Sequence, residues 1–265
     1  MNEISSINNP EIKLLRLLFQ KSRERKKHKR FVIEGEREIL KAIRGKYKFE
    51  SFYVYKGSET HFSSLLINMF STRINLVKPS VFEQLSIRSG SEKVIAVAHS
   101  KTHELKNLNV SEKSLILVAE APEKPGNIGA LYRTAAAAKI DAVIIANPKT
   151  DFYNPNSIRS SLGSVFLLPT AMAPSEKVIS FLNDKGFNIV TAAINKNAIR
   201  YDLFDYKTPC ALVMGTESSG LDDLWIKNTN QNIIIPMDKT IDSLNLSVSA
   251  GILMYEAKRK NNLLK

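Results

Sequence analysis

Leu115-Ile116-Leu117-Val118-Ala119 is an unbroken apolar run, followed by the Ala-rich stretch Ile128 to Ala138 and then by Ala142-Val143-Ile144-Ile145-Ala146. A strand with one wet face alternates polar and apolar residues. A run without polar interruption predicts a strand covered on both faces, the habit of parallel sheets. Two such runs joined by a helical segment predict a βαβ unit. Farther along, Phe187 to Ala193, Ala211-Leu212-Val213-Met214 and Asn232-Ile233-Ile234-Ile235 repeat the pattern, and a helix from about Leu246 to Lys260 closes the chain. Together they predict a doubly wound parallel α/β sheet over residues 114–265.

Upstream, the chain reads as a separate, smaller α/β unit over residues 1–98. An apolar helical pattern (Ile12, Leu14, Leu15, Leu17, Leu18, Phe19) runs into Lys21-Ser22-Arg23-Glu24-Arg25-Lys26-Lys27-His28-Lys29-Arg30, in which seven of ten residues are Lys or Arg. Phe31-Val32-Ile33, Phe52 to Tyr55, Ile74 to Val77 and Val94 to Ala98 read as strands, and Glu34 to Arg44 as a helix. Residues 99–113 are polar and without period, which predicts a linker.

Charge separates the two parts. Over the 265 residues Lys+Arg number 38 and Asp+Glu 26, for a net charge of +12; residues 1–100 hold 19 of those cations and only 10 of the acids. A basic part beside a nearly neutral one predicts a polyanion-binding unit attached to a working unit. Arg23, Arg25, Lys26, Lys27, Lys29 and Arg30 are the phosphate-contact candidates, with a merely solvated helix face as the alternative. Cys210 is the only cysteine, which excludes an internal disulfide and a Cys-rich zinc site. The amino terminus lacks a charged segment followed by an apolar one, and no apolar run approaches the ~18 residues a membrane span needs. A cytoplasmic protein is expected.

Exclusions narrow the chemistry. The four histidines are His28, His61, His99 and His103, so a Ser-His-Asp triad, a Cys-His pair or a His-based zinc site cannot lie in the second half. No phosphate-loop or dinucleotide glycine signature occurs. Three segments remain, each at the carboxyl end of a predicted strand, where open α/β sheets bind ligands. The first is Pro125-Gly126-Asn127-Ile128-Gly129 leading to Arg133-Thr134-Ala135. On an ideal helix Asn127 and Arg133 face about 240° apart, so they share a site only if Asn127 lies in the preceding loop. The second is Met214-Gly215-Thr216-Glu217-Ser218-Ser219-Gly220-Leu221, and the third Ile235-Pro236-Met237 with Ser243-Leu244-Asn245-Leu246-Ser247-Val248. Each alone could be a capped helix start or a plain strand–turn–helix connection.

In this order the three segments resemble the SpoU, or TrmH, family of RNA ribose methyltransferases, of the SPOUT class. Asn9-Pro10-x-Ile12-Lys13-x-Leu15 and Phe31-x-x-Glu34-Gly35 resemble the family's auxiliary RNA-substrate-binding domain. The resemblance implies an α/β sheet whose carboxyl-terminal part forms a deep trefoil knot, and a homodimer. It implies S-adenosylmethionine as cofactor, no metal, and methylation of a ribose 2′-hydroxyl in RNA. Ribosomal RNA is the expected substrate, with transfer RNA as the alternative; a non-catalytic RNA-binding protein and a nucleotide-utilising α/β enzyme are the readings it displaces. It makes Asn127, Arg133, Glu217, Ser243 and Asn245 the catalytic set, and Gly215, Ile235, Met237 and Leu244 the cofactor-binding set. One departure stands out: Lys239-Thr240 where members often carry glycine.

Overall fold

The computed structural model describes residues 2–70, 74–85, 92–195, 197–216, 219–238 and 240–262. They form two compact units, Met1–Lys101 with Asp151–Leu167, and Thr102–Thr150 with Leu168–Lys265.

The first unit is a five-stranded mixed sheet in the order β1-β4-β3-β5-β2. Its strands are β1 (Asn2–Ile4), β2 (Arg30–Glu34), β3 (Phe49–Tyr55), β4 (Ile74–Val77) and β5 (Val94–His99). Its helices are α1 (Pro10–Gln20), α2 (Ser22–His28), α3 (Glu36–Arg44), α4 (Ser64–Phe70) and α5 (Pro79–Phe82). Asn9 opens α1, its side chain accepting from Glu11 N, and Pro10 occupies a first-turn position where no amide proton is needed. Ile12, Leu15 and Leu18 are spaced at helical intervals, fully buried, and packed with Val32, Tyr53, Val77, Ile95 and Val97 of the sheet.

The second unit is a seven-stranded, all-parallel sheet in the order β10-β12-β9-β11-β6-β7-β8. The chain contributes β6 (Leu115–Glu120), α6 (Pro125–Ala137), β7 (Ala142–Ala146), β8 (Thr170–Ala173) and α8 (Ser175–Asp184), with α7 (Pro155–Ser160) falling in the segment counted with the first unit. It continues with β9 (Asn188–Ala192), β10 (Ile199–Arg200), β11 (Cys210–Met214), α9 (Asp223–Asn228), β12 (Gln231–Ile234) and α10 (Leu246–Lys260). Every residue of β6, β7 and β11 is buried, the reason their sequences carry almost no polar side chain. The exception is Glu120. Cys210, at the start of β11, has its thiol pushed up to about 12 by burial.

Two boundaries differ from the sequence expectation. Residues 102–113 are no linker: Leu108 is buried in the second unit's core, Leu105 and Val110 pack on it, and Met172 N donates to His103 O at 2.7 Å. Polar composition hid three apolar anchors. Second, residues 151–167 do not belong with the sheet they interrupt. Tyr153 stacks on Phe31 at 4.1 Å, Phe166 packs edge-on to Tyr47 at 5.0 Å, and Lys41 Nζ donates to Leu162 O at 2.7 Å. Aromatic packing in the first unit thus claims a stretch that follows it by fifty residues.

Candidate functional site

Three loops at the carboxyl ends of β9, β11 and β12 enclose a cleft of about 780 Å³, within the range of small-molecule sites. Gly215, Ile235, Met237, Leu244 and Ser243 all line it. The structure therefore brings the four expected cofactor residues to one place. Sequence reading missed Ala192 at the end of β9 and Ala193 to Asn195 after it, and Leu221, Asp223 and Ile226 around α9, which also line the cleft. The apolar end of β9 was the available signal, since a strand beside β11 ends at the same level.

The glycine-cornered loop after β11 is drawn tight by reciprocal bonds, Thr216 N to Gly220 O at 3.3 Å and Gly220 N to Thr216 O at 3.2 Å. A Cβ at Gly215 would lie 2.4 Å from the carbonyl carbon of Gly220 and 2.5 Å from Leu221 N. Only glycine fits there. Gly220 itself adopts φ 71, open to glycine without strain. Glu217, of the expected catalytic set, lies outside the described residues, as does Lys239. Thr240 N and Oγ1 both donate to Asp238 Oδ1, at 2.9 and 2.6 Å.

Beside the cleft, two helices begin together. Asn245 caps α10, its Oδ1 accepting from Ser247 N at 2.9 Å and Ser247 Oγ at 2.6 Å. Its free amide hydrogens turn the other way, and Nδ2 donates to Asn127 Oδ1 at 3.4 Å. Asn127 is the third residue of α6, inside the helix rather than before it, so Arg133 points elsewhere as the ideal geometry requires. The two asparagines join; Arg133 stands apart, exposed and with no hydrogen-bond or ion-pair partner among the described residues. The two helix amino termini make this face attractive to an anion.

The first unit carries the basic surface. Arg23, Lys26, Lys27 and Lys29 are exposed, and Arg30 is half-buried against Glu50 at 2.7 Å. Arg25 corrects the sequence expectation. It is 3% exposed, bound by Asp151 Oδ2 at 2.5 Å and donating to Leu18 O and Phe19 O. Its helical phase turns it inward among its charged neighbours, so it caps α1 instead of meeting phosphate. Sheet pairing also gathers lysines the linear reading left scattered. Ser100 N donates to Lys29 O and His99 N to Lys48 O, while Lys101 Nζ reaches Gly45 O. Exposed Lys29, Lys46, Lys48 and Lys101 thus share one end of the sheet. Lys46 is close enough to Lys101 to help burial hold the Lys101 ammonium below its usual range.

Comparison with known proteins follows the same division. A model of the SpoU rRNA Methylase family matches residues 114–255, and one of an MRM3-like substrate binding domain matches residues 9–96. The chain is 27% identical over 258 residues, 97% of its length and 100% of the relative, to the 23S rRNA (guanosine(2553)-2′-O)-methyltransferase RlmP of Bacillus subtilis strain 168. It is 28% identical over 239 residues, 87% of this chain and 83% of the relative, to the 23S rRNA (uridine(2479)-2′-O)-methyltransferase of Streptomyces viridochromogenes. The AdoMet-bound rRNA methyltransferase of Sinorhizobium meliloti superimposes with a TM-score of 0.90 at 26% identity, covering 100% of this chain and 99% of that one.

Proposed function

The chain belongs to the SpoU rRNA methylase family, and from that premise we propose that it is an S-adenosylmethionine-dependent enzyme methylating a ribose 2′-hydroxyl of ribosomal RNA. The observation that carries this reading is the convergence of Gly215, Ile235, Met237 and Leu244 on one cleft beside the Asn127–Asn245 contact. The residues fit the cofactor. Ile233, Ile235 and Leu244 offer apolar walls for a purine, the backbone of residues 192–195 and 214–216 offers hydrogen-bonding edges, and the Asp223 carboxylate suits hydroxyls or a cationic group. When bound, S-adenosylmethionine supplies a methyl group on a sulfonium centre.

The chain's own residues handle the acceptor. A ribose hydroxyl is a weak nucleophile until its proton is lost or shared. Arg133, with its planar fork of N–H donors, orients a phosphate and the 2′-oxygen and stabilises the negative charge that develops there. Asn127 and Asn245 tie the starts of α6 and α10 together, Ser243 lines the cleft, and Glu217 completes the set by family motif. The threaded, knotted course of the carboxyl-terminal chain is part of the proposal. Incubation of the protein with labelled S-adenosylmethionine and total RNA, followed by mapping, tests the whole: label is expected on one ribose of ribosomal RNA, and label on a base would overturn it.

The relatives methylate a guanosine and a uridine by name, which supports recognition through RNA shape and backbone contact rather than through the base. Arg23, Lys26, Lys27, Lys29 and Arg30, joined by Lys46, Lys48 and Lys101, supply that contact in this reading. Lys26→Ala, Lys27→Ala and Lys29→Ala combined are expected to weaken RNA binding about tenfold or more at ~0.15 M salt and to flatten the salt dependence by about 2 in log–log slope. Filter binding across a salt series measures both, and an unchanged slope removes the assignment.

We propose further that the enzyme is a homodimer. Ile194 is 72% exposed, Leu203 70%, Ile241 55% and Val248 51%, large apolar side chains of one unit that a second copy would cover. Light scattering at the mass of a single chain would remove this. Among the described residues no helix is long and apolar enough to cross a membrane; a cytoplasmic location, with the RNA, completes the reading and is checked by cell fractionation.

A further inference from the structure

At the carboxyl end of β6 a glutamate lies inside the protein. Glu120 is 5% exposed, and its Oε2 accepts from Ser175 Oγ at 2.5 Å and from Trp225 Nε1 at 2.7 Å, its Oε1 from Asn147 Nδ2 at 3.0 Å. All three donors are neutral, and among the described residues no cation pairs with it. A buried carboxylate is costly unless its oxygens are satisfied, and an apolar residue in its place often stabilises as well or better. Glu120 is instead the acceptor-only group that three converging donors require. Glutamine would turn an amide NH₂ toward one of them.

The donors arrive from three different places. Asn147 follows β7 in the left-handed conformation, φ 44, and also bonds Ser175 Oγ at 2.8 Å. Ser175 opens α8, and Trp225 sits in α9. Only the last leads to the cleft. Helix α9 has six residues, too few to hold its shape without tertiary contacts. Trp225, fully buried, sets its depth by packing; the indole N–H bond to Glu120 sets its rotation. Asp223 and Ile226 lie two residues before and one after Trp225, and both line the cleft, as does Leu221 just ahead of the helix. With 100° per residue, any roll of α9 about its axis swings both side chains against the cleft wall.

We infer that Glu120 is a positioning residue for the cofactor cleft: through the Trp225 indole it fixes the roll of α9, and with it the wall formed by Asp223 and Ile226. Its other two bonds serve the core alone. The inference rests on the cleft being the S-adenosylmethionine site, as proposed above.

Paired substitutions on the same carboxylate test it in the full-length protein. Trp225→Phe removes the α9 donor and keeps the ring; Ser175→Ala removes the α8 donor. Calorimetric titration with S-adenosylmethionine is expected to give Trp225→Phe a Kd raised at least fivefold, with kcat at saturating cofactor within twofold of the unaltered protein. Ser175→Ala is expected to lower Tm comparably while leaving Kd within twofold. If Trp225→Phe does not fold, Glu120→Leu, which leaves the indole N–H without its acceptor, decides, with the same raised Kd expected. Kd values unchanged in Trp225→Phe and Glu120→Leu, or raised equally in Ser175→Ala, overturn the positioning role. An unaltered protein that fails to bind S-adenosylmethionine overturns the cofactor reading and this inference together, so the two failures are told apart by the unaltered protein alone.

Discussion

Arg133→Ala is expected to lower kcat about 10³-fold while leaving the affinity for S-adenosylmethionine within twofold. The size follows from the loss of one charged donor aimed at developing negative charge, which costs ~10²–10³ in comparable cases, ~3–4 kcal/mol at 1.36 kcal/mol per decade. Selectivity follows from position. Arg133 is exposed on α6, has no partner among the described residues, and is absent from the cleft lining, so its removal leaves neither a buried orphan nor a gap in the cofactor wall. Arg133→Lys keeps the charge but not the planar fork, and is expected to recover only part of the rate. Single-turnover rates and calorimetric Kd values on the same samples separate the two effects. An equal loss of turnover and cofactor affinity would make Arg133 a structural residue.

Gly215→Ala is expected to abolish cofactor binding, raising Kd by ~100-fold or more. The added methyl would sit 2.4 Å from the carbonyl carbon of Gly220 and 2.8 Å from its oxygen, far inside contact distance and against backbone that has no rotamer to change. Loop 215–221 must open, the two Thr216–Gly220 bonds break, and Leu221 moves with them. Overpacking of this kind costs ~1–3 kcal/mol where side chains can yield, and more here, where they cannot. Gly126→Ala is the control. A Cβ at Gly126 meets nothing within 4 Å, and alanine suits a first helical turn better than glycine does. It should bind S-adenosylmethionine normally and melt no lower. A Gly215→Ala protein with unchanged Kd would show that the loop has room that the geometry denies it.

The sheet of the second unit was legible because its strands are buried on both faces: nothing polar interrupts Leu115 to Ala119 or Ala142 to Ala146, and the closing helix runs from Leu246 to Lys260 as the pattern requires. The cleft was legible through motif order, which brought Gly215, Ile235 and Leu244 together. Other features depend on partners far along the chain. Arg25 looks like one of seven surface cations until Asp151, 126 residues later, takes its guanidinium inside. Glu120 looks like a strand-ending charge until Ser175 and Trp225, 55 and 105 residues later, arrive as donors. Gly126 stands in the first motif segment, yet the space beside it is open. Local spacing fixes periodicity and caps; it does not say which distant side chain completes a buried pair.

The claim of the first unit on residues 151–167 limits how such proteins can be shuffled by recombination. A crossover placed after residue 101 would carry away Phe31 and Tyr47 without Tyr153 and Phe166, and Arg25 without Asp151. Exchange of the first unit between relatives therefore needs two coordinated grafts, residues 1–101 and residues 151–167, on either side of residues 102–150. Inheritance as a single indivisible piece is the simpler course for a chain built this way.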